Sequence, residues 1–168
     1  MKKLIASLAL IGFSLPIMAQ DTISLNSGTL LDVSSVGEIQ LMNGESKDNV
    51  WFAVDPAQIS SSNEKQLSNC VLTAYVGLEN GELQFNTHSL RCPSMTGDVF
   101  TAEEIAAELT ASLSQVCTSS GNSCSQITFN SSSRYTVKLE EASSLVAAYN
   151  ASREANRLRI EEQLNGGN

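Results

Sequence analysis

The chain has 168 residues, with 18 acidic against 10 basic side chains and a formal net charge of -8 at pH 7. Such an acidic body argues against binding along a phosphate backbone, which needs a basic stripe, and against docking on anionic lipid. Neutral or basic surfaces are the partners that charge favours, although it equally serves to keep a protein soluble.

Met1-Lys2-Lys3 is a basic start, 4–18 is an apolar run interrupted by Pro16, and Ile17-Met18-Ala19 offers a small residue before Gln20. This pattern predicts an export signal over 1–19. The alternative is an uncleaved inner-membrane anchor, but the run is short for a membrane span. No cysteine follows it to accept a lipid. No other segment is apolar enough to cross a membrane as a helix, so no direct membrane insertion is expected. Removal of the signal takes two lysines with it, leaving eight cations against 18 acids, a formal -10. The expected location is the periplasm, or secretion beyond it.

Short strands with turn punctuation are expected over 20–56. Ile23-Ser24-Leu25 alternates before Asn26-Ser27-Gly28, the run 30–33 follows with Asp32 facing out, and 38–42 places Ile39 and Leu41 on one face. The polar segment 43–49 reads as a loop. Val50-Trp51-Phe52-Ala53-Val54 is the most apolar strand candidate, stopped by Asp55-Pro56. Trp51 is expected to be a core or sheet-packing residue. A polar loop over 60–66 leads on.

The stretch 69–93 carries the strongest local signal. Two β-rich runs meet across Glu79-Asn80-Gly81-Glu82, and Asn-Gly suits a two-residue type I′ hairpin turn. That turn sets Glu79 opposite Glu82, Leu78 opposite Leu83 and Val76 opposite Phe85. Leu72, Ala74, Val76 and Leu78 then share a core face with Leu83, Phe85 and Thr87. The same register puts Cys70 opposite Arg91 and turns the thiols of Cys70 and Cys92 to opposite faces. A β-bulge near Thr87-His88-Ser89, where the apolar alternation breaks, would reset it.

Four cysteines in an exported chain read as two disulfides. Neither pair has Cys-x-x-Cys spacing, and one histidine cannot complete a zinc site. Three connectivities are possible, and closure of short local loops favours Cys70–Cys92 and Cys117–Cys124. No metal and no cofactor are expected.

Beyond Pro93 a helix is predicted from Thr101 to about Cys117. Thr101 and Glu104 make a capping box, Phe100 and Ile105 a hydrophobic staple, and Ile105, Leu109, Leu113 and Val116 recur on one face. A weaker hairpin is predicted from 126–129 and 134–139. A long C-terminal helix is predicted over 140–164. Ala142, Leu145, Val146 and Tyr149 give its first half a face to pack. Its polar second half keeps only Leu158 and Ile160, and is either a solvated projection or a helix waiting for a partner.

Catalytic chemistry is hard to find. His88, the single histidine, has no neighbouring acid or nucleophile in sequence and nothing resembles a nucleophile elbow. Glu103-Glu104 and Glu140-Glu141 lie at predicted helix starts, where they suit the helix dipole. Gly-rich phosphate loops are absent. An enzyme is not expected.

GTLLDVSSVGEIQL, NVWFAV and NCVLTAYVGLENGELQFNTHSLRC, within 28–92, together resemble the barrel-forming scaffold protein of type IV secretion and conjugation channels, the TraB-like family. The matching features are the Gly28-Thr29 strand start, Cys70, and Leu90-Arg91-Cys92. The chain departs from that family in its cleavable-looking signal, in lacking a proline-rich spacer, and in its C-terminal half.

The fold expected is α+β: an antiparallel β-sheet or partial barrel with a central disulfide-closed hairpin, one packed helix and a long C-terminal helix. Its divisions are a signal peptide over 1–19, a disulfide-stapled domain over 20–139 and a C-terminal helix and tail over 140–168. The expected function is that of a periplasmic accessory protein binding other subunits of a conjugation, secretion or pilus machine in the cell envelope. Tyr149, Leu158 and Ile160 are its candidate contacts, and the C-terminal helix is a possible route to an oligomer. The alternative is a soluble periplasmic inhibitor or small-ligand binder presenting the acidic hairpin tip 79–82.

Overall fold

A computed structural model describes residues 22–59, 67–95, 97–110, 113–120, 123–148 and 150–165. The expected signal over 1–19 and the whole of the loop 60–66 lie outside them, as does Tyr149. The strands are β1 (Thr22–Leu25), β2 (Leu30–Ser35), β3 (Ile39–Met42), β4 (Ser46–Val54), β5 (Cys70–Glu79), β6 (Glu82–Pro93), β7 (Val99–Ala102), β8 (Ala107–Leu109), β9 (Cys117–Ser120), β10 (Ser123–Phe129), β11 (Tyr135–Leu139) and β12 (Ser143–Ala147). Two α-helices, α1 (Leu113–Val116) and α2 (Ala151–Asn165), and a single 3-10 turn at Pro56–Gln58 complete the described elements.

Nine strands form one antiparallel sheet in the order β1-β12-β7-β6-β5-β4-β2-β11-β8. Consecutive strands β1 and β2 stand first and seventh in that order, and β12 and β11 stand second and eighth. Four residues join β1 to β2, so the sheet must curl to bring those places together. Backbone bonds tie the two bends: Gly28 N donates to Leu139 O at 2.8 Å and Leu139 N to Thr29 O at 2.9 Å. The result is a curled half-barrel.

Alternation fills its inside. Leu72, Ala74, Val76 and Leu78 of β5 are buried, with Phe52 of β4, Leu90 of β6 and Leu145 of β12. Each inward side chain of this kind contributes roughly 1.5–3 kcal/mol on burial. A second sheet, β3-β10-β9, lies beside β5 and β6. It brings Phe129 into edge contact with Phe52 (5.5 Å) and Tyr135 (5.0 Å).

The β5–β6 hairpin has the expected turn and register. Asn80 and Gly81 both take positive φ (52° and 78°), and Glu79 pairs with Glu82, Leu78 with Leu83 and Val76 with Phe85. The bulge falls within the expected three residues. Thr73 pairs with Ser89 but Ala74 with Thr87, so His88 is the extra residue. Beyond it Val71 pairs with Arg91, which puts Cys70 against Cys92, bonded at a Cα separation of 4.2 Å. Cys117–Cys124 is the second disulfide, linking β9 to β10. No helix among the described residues is long and apolar enough to cross a membrane.

Two expected helices are corrected. The segment 101–117 holds β7, β8 and only the four-residue α1. Phe100, Ala102, Ile105 and Ala107 are buried in place of a helical stripe, with Thr101 and Phe100 paired to Arg91 and Cys92. A cap contributes about 1 kcal/mol, whereas sheet pairing buries several apolar side chains, so the local signal loses. The second correction concerns the predicted helix over 140–164. Ser143–Ala147 is a strand between β1 and β7, with Leu145 fully buried, and the helix starts at Ala151. The sheet therefore extends past 139 to Ala147. The weaker hairpin is also corrected: β10 and β11 exist but lie in different sheets.

Trp51 is not a core residue. Val50, Phe52 and Val54 point inward, and Trp51 on the outer face is 58% exposed.

Deleting His88 should heal the ladder and keep Cys70 opposite Cys92, so thiol titration of the denatured, unreduced variant should find no free thiol. Two free thiols would mean that His88 is not the extra residue. With loops of 22 and 7 residues, the Cys70→Ser/Cys92→Ser pair should cost about 3 kcal/mol in urea unfolding and the Cys117→Ser/Cys124→Ser pair about 2 kcal/mol on the chain-entropy model.

Candidate binding surfaces

Two bulges face each other across β5. In β4 the pairing moves from Lys47–Val76 to Val50–Ala74, which leaves Asp48 and Asn49 against Tyr75, with Asn49 at φ 53°. In β6 the extra residue is His88. The imidazole Nε2–H donates to Asp48 Oδ1 at 2.8 Å. This hydrogen bond holds the Asp48 carboxyl below its usual value, helped by the backbone N–H of Asn49. His88 thus has an acid partner, forty residues away in sequence. Its neighbours' hydroxyls are otherwise engaged. Thr87 Oγ1 donates to Ile105 O and accepts from Ala107 N, and Ser89 Oγ bonds Thr73 Oγ1.

Beside this pair opens a cleft of about 640 Å³ lined by His88, Glu103, Glu104, Glu108, Glu140 and Glu141. The bend between β7 and β8 supplies Glu103 and Glu104, β8 itself supplies Glu108, and the β11–β12 bend supplies Glu140 and Glu141. Both acid pairs therefore sit in strand connections and not at helix starts. Among the described residues, no three His, Cys, Asp or Glu side chains are grouped so as to hold a metal ion.

The outer face carries a different surface. Trp51 is directly opposite Thr73, and Thr73 opposite Ser89, in one row across β4, β5 and β6. The next row pairs Val71 with Arg91, and beyond it Pro93 pairs with Val99. These residues, with Asn49 and Asn69, line a groove of about 540 Å³. Alternation along β4 was the available signal: a residue flanked by inward Val50 and Phe52 must face out. Asp48–His88 had no such signal, because it depends on two bulges.

The hairpin tip is held and not free. Gly81 N donates to Asn43 Oδ1 at 2.9 Å, and a Cβ at Gly81 would come within 3.1 Å of Ser123 Cβ.

Of the candidate contact residues, Leu158 and Ile160 are half exposed (52% and 54%), and Leu164 is more so. Every α2 side chain in the described set is exposed. Leu158 and Ile160 do not share a face. At about 100° per residue they point roughly 200° apart, Leu158 with Ala155 and Ile160 with Leu164.

Comparison with protein-family models, with curated proteins and with solved structures found no match.

Because the Asp48 carboxyl is held below 3.8 in the folded state, its contribution is present above its unfolded value and lost as pH falls through the folded one. Asp48→Asn removes that contribution. Between about pH 5 and about pH 2 the melting temperature should therefore fall more steeply in the wild type than in the variant. Parallel curves would show that the bond contributes no stability.

Proposed function

We propose that this protein is a non-enzymatic accessory subunit of the cell envelope that binds other subunits of a conjugation, secretion or pilus machine. The observation that carries the reading is α2. An isolated helix of about this length is marginal in water, and α2 shows no described side chain buried against its own sheet. Such an element gains its stabilisation from a partner.

The distribution of its apolar residues specifies the geometry. Ala155 and Leu158 face one way and Ile160 and Leu164 the other. A helix laid on one flat surface would leave one pair in water. A helix flanked on both sides, by two subunits or by further copies of this chain, covers both.

Two disulfides suit an oxidising compartment. The resemblance of 28–92 to the TraB-like scaffold supports the choice of machine. The non-enzymatic part rests on His88, whose imidazole bonds Asp48 while the adjacent hydroxyls serve the backbone and Thr73. The reading of the hairpin tip as an inhibitor's probe loses support, since Asn43 Oδ1 holds the Gly81 N–H and Ser123 lies close beside the turn.

Pull-down from the producing cell's envelope with residues 20–168, against a version ending at Asn150, tests this. The full form should recover machine subunits and the truncated form should lose them, with the melting temperature unchanged, since no described side chain of α2 joins the core. Equal recovery by both forms would move the contact away from α2. Recovery by neither, with both forms monomeric, would overturn the assembly reading.

A further inference from the structure

We propose that the outer-face groove at Trp51 is a binding site for neutral oligosaccharide, with the indole as a stacking platform and the polar side chains around it as hydroxyl-binding groups. The site lies on the half-barrel and does not depend on α2.

The one tryptophan stands apart from the packed aromatic rings. Phe52, Phe85, Phe129 and Tyr135 pack against one another. Trp51, in contrast, is 58% exposed in the middle of a nine-residue strand. A large ring left in water on a sheet offers an electron-rich face, to which C–H groups are drawn. The C–H face of a pyranose fits that description.

Polar side chains line the floor and rim of the groove. Thr73 and Ser89 are small and bond each other at 2.9 Å, so the floor next to the ring is low and its hydroxyls are already satisfied. Asn49 and Asn69 both line the groove, and both hold left-handed backbone (φ 53° and 48°) at the β4 bulge and the entry to β5. Each amide carries two donors and one acceptor; Asn49 Nδ2 gives one donor to Asp48 Oδ2 at 3.3 Å, and the groups that remain suit a ligand whose hydroxyls both donate and accept.

The chain carries 18 acids, yet among the described residues no carboxylate lines this groove and Arg91 is the one charged side chain that does. Arg91 is already tethered, with Nη2 3.4 Å from Glu103 Oε2. A basic peptide would favour the glutamate-lined cleft; a neutral polyol would not. From Trp51 to the Ser89–Arg91 strand is two strand spacings, about 10 Å, enough for a short run of sugar rings in a groove of about 540 Å³.

Trp51 is the only tryptophan, so intrinsic fluorescence reports this groove alone. Titration with chitotetraose, and separately with cellotetraose, should give a saturable change in Trp51 emission with at least one of them. The choice between them distinguishes N-acetylated from plain β-linked sugar. Trp51→Ala should abolish binding by calorimetry, with the melting temperature unchanged. Asn69→Gly keeps the positive φ comfortable and should weaken binding about threefold or more through loss of amide contacts. The proposal is overturned if neither sugar gives a saturable change, or if Trp51→Ala still binds by calorimetry. It is equally overturned if Trp51→Ala loses a protein partner while no sugar binds, since the groove is then a protein interface.

Discussion

One extra residue sets the geometry of this domain. Between the Asn80-Gly81 turn and the first disulfide, the two strands of the central hairpin would present their cysteines on opposite faces. His88 takes up the mismatch as a bulge, so that Cys92 returns to the inner face against Cys70. On the turn side the inward set is Ala74, Val76 and Leu78; on the disulfide side it is Leu72, Leu90 and the cystine. A one-residue slip anywhere in this ladder would turn half of β6 inside out. Bulges also bend and twist the strands that carry them. A second one in β4, opposite Tyr75, lies beside the first. Together they bring the Asp48 carboxylate to the His88 imidazole across an intervening strand.

The curl that follows divides the surface by chemistry. The strand connections at the β7–β8 and β11–β12 bends gather glutamates around one cleft. The outer-face groove across β4 to β7 has no carboxylate among its described lining residues and carries the tryptophan. Beyond the sheet, α2 exposes apolar residues in two directions. The three surfaces suit different occupants, and only the last invites flanking by protein on both sides. An accessory protein that meets a machine through its helix and a glycan through its sheet would use two separate surfaces for the two tasks.

Local chemistry was readable wherever the chain pairs with itself at short range. Asn80-Gly81, the alternation of 71–78 and the break at Thr87-His88-Ser89 together contained the turn, the inward face and the bulge. The two short-loop disulfides followed from spacing. The first three strands were legible for the same reason, since period-two alternation is a property of a few consecutive residues. The outward position of Trp51 was legible too, in the parity of Val50, Phe52 and Val54, but a five-residue apolar run hid it.

What the residues alone determined was therefore the set of short-range pairings: the hairpin, its register and its staples. Tertiary structure decided between periods where both were present. Phe100, Ala102 and Ala107 suit a strand while Ile105, Leu109, Leu113 and Val116 suit a helix, and Leu145 and Val146 belong to either pattern. The strands β6 and β12 offer β7 unpaired backbone and an apolar face, and burying that face outweighs a capping box of about 1 kcal/mol. The same long-range pairing made the half-barrel, gathered the acids into one cleft and left α2 without a described side chain packed on the sheet. None of these could be read before the strands found their neighbours, because each depends on residues distant in sequence.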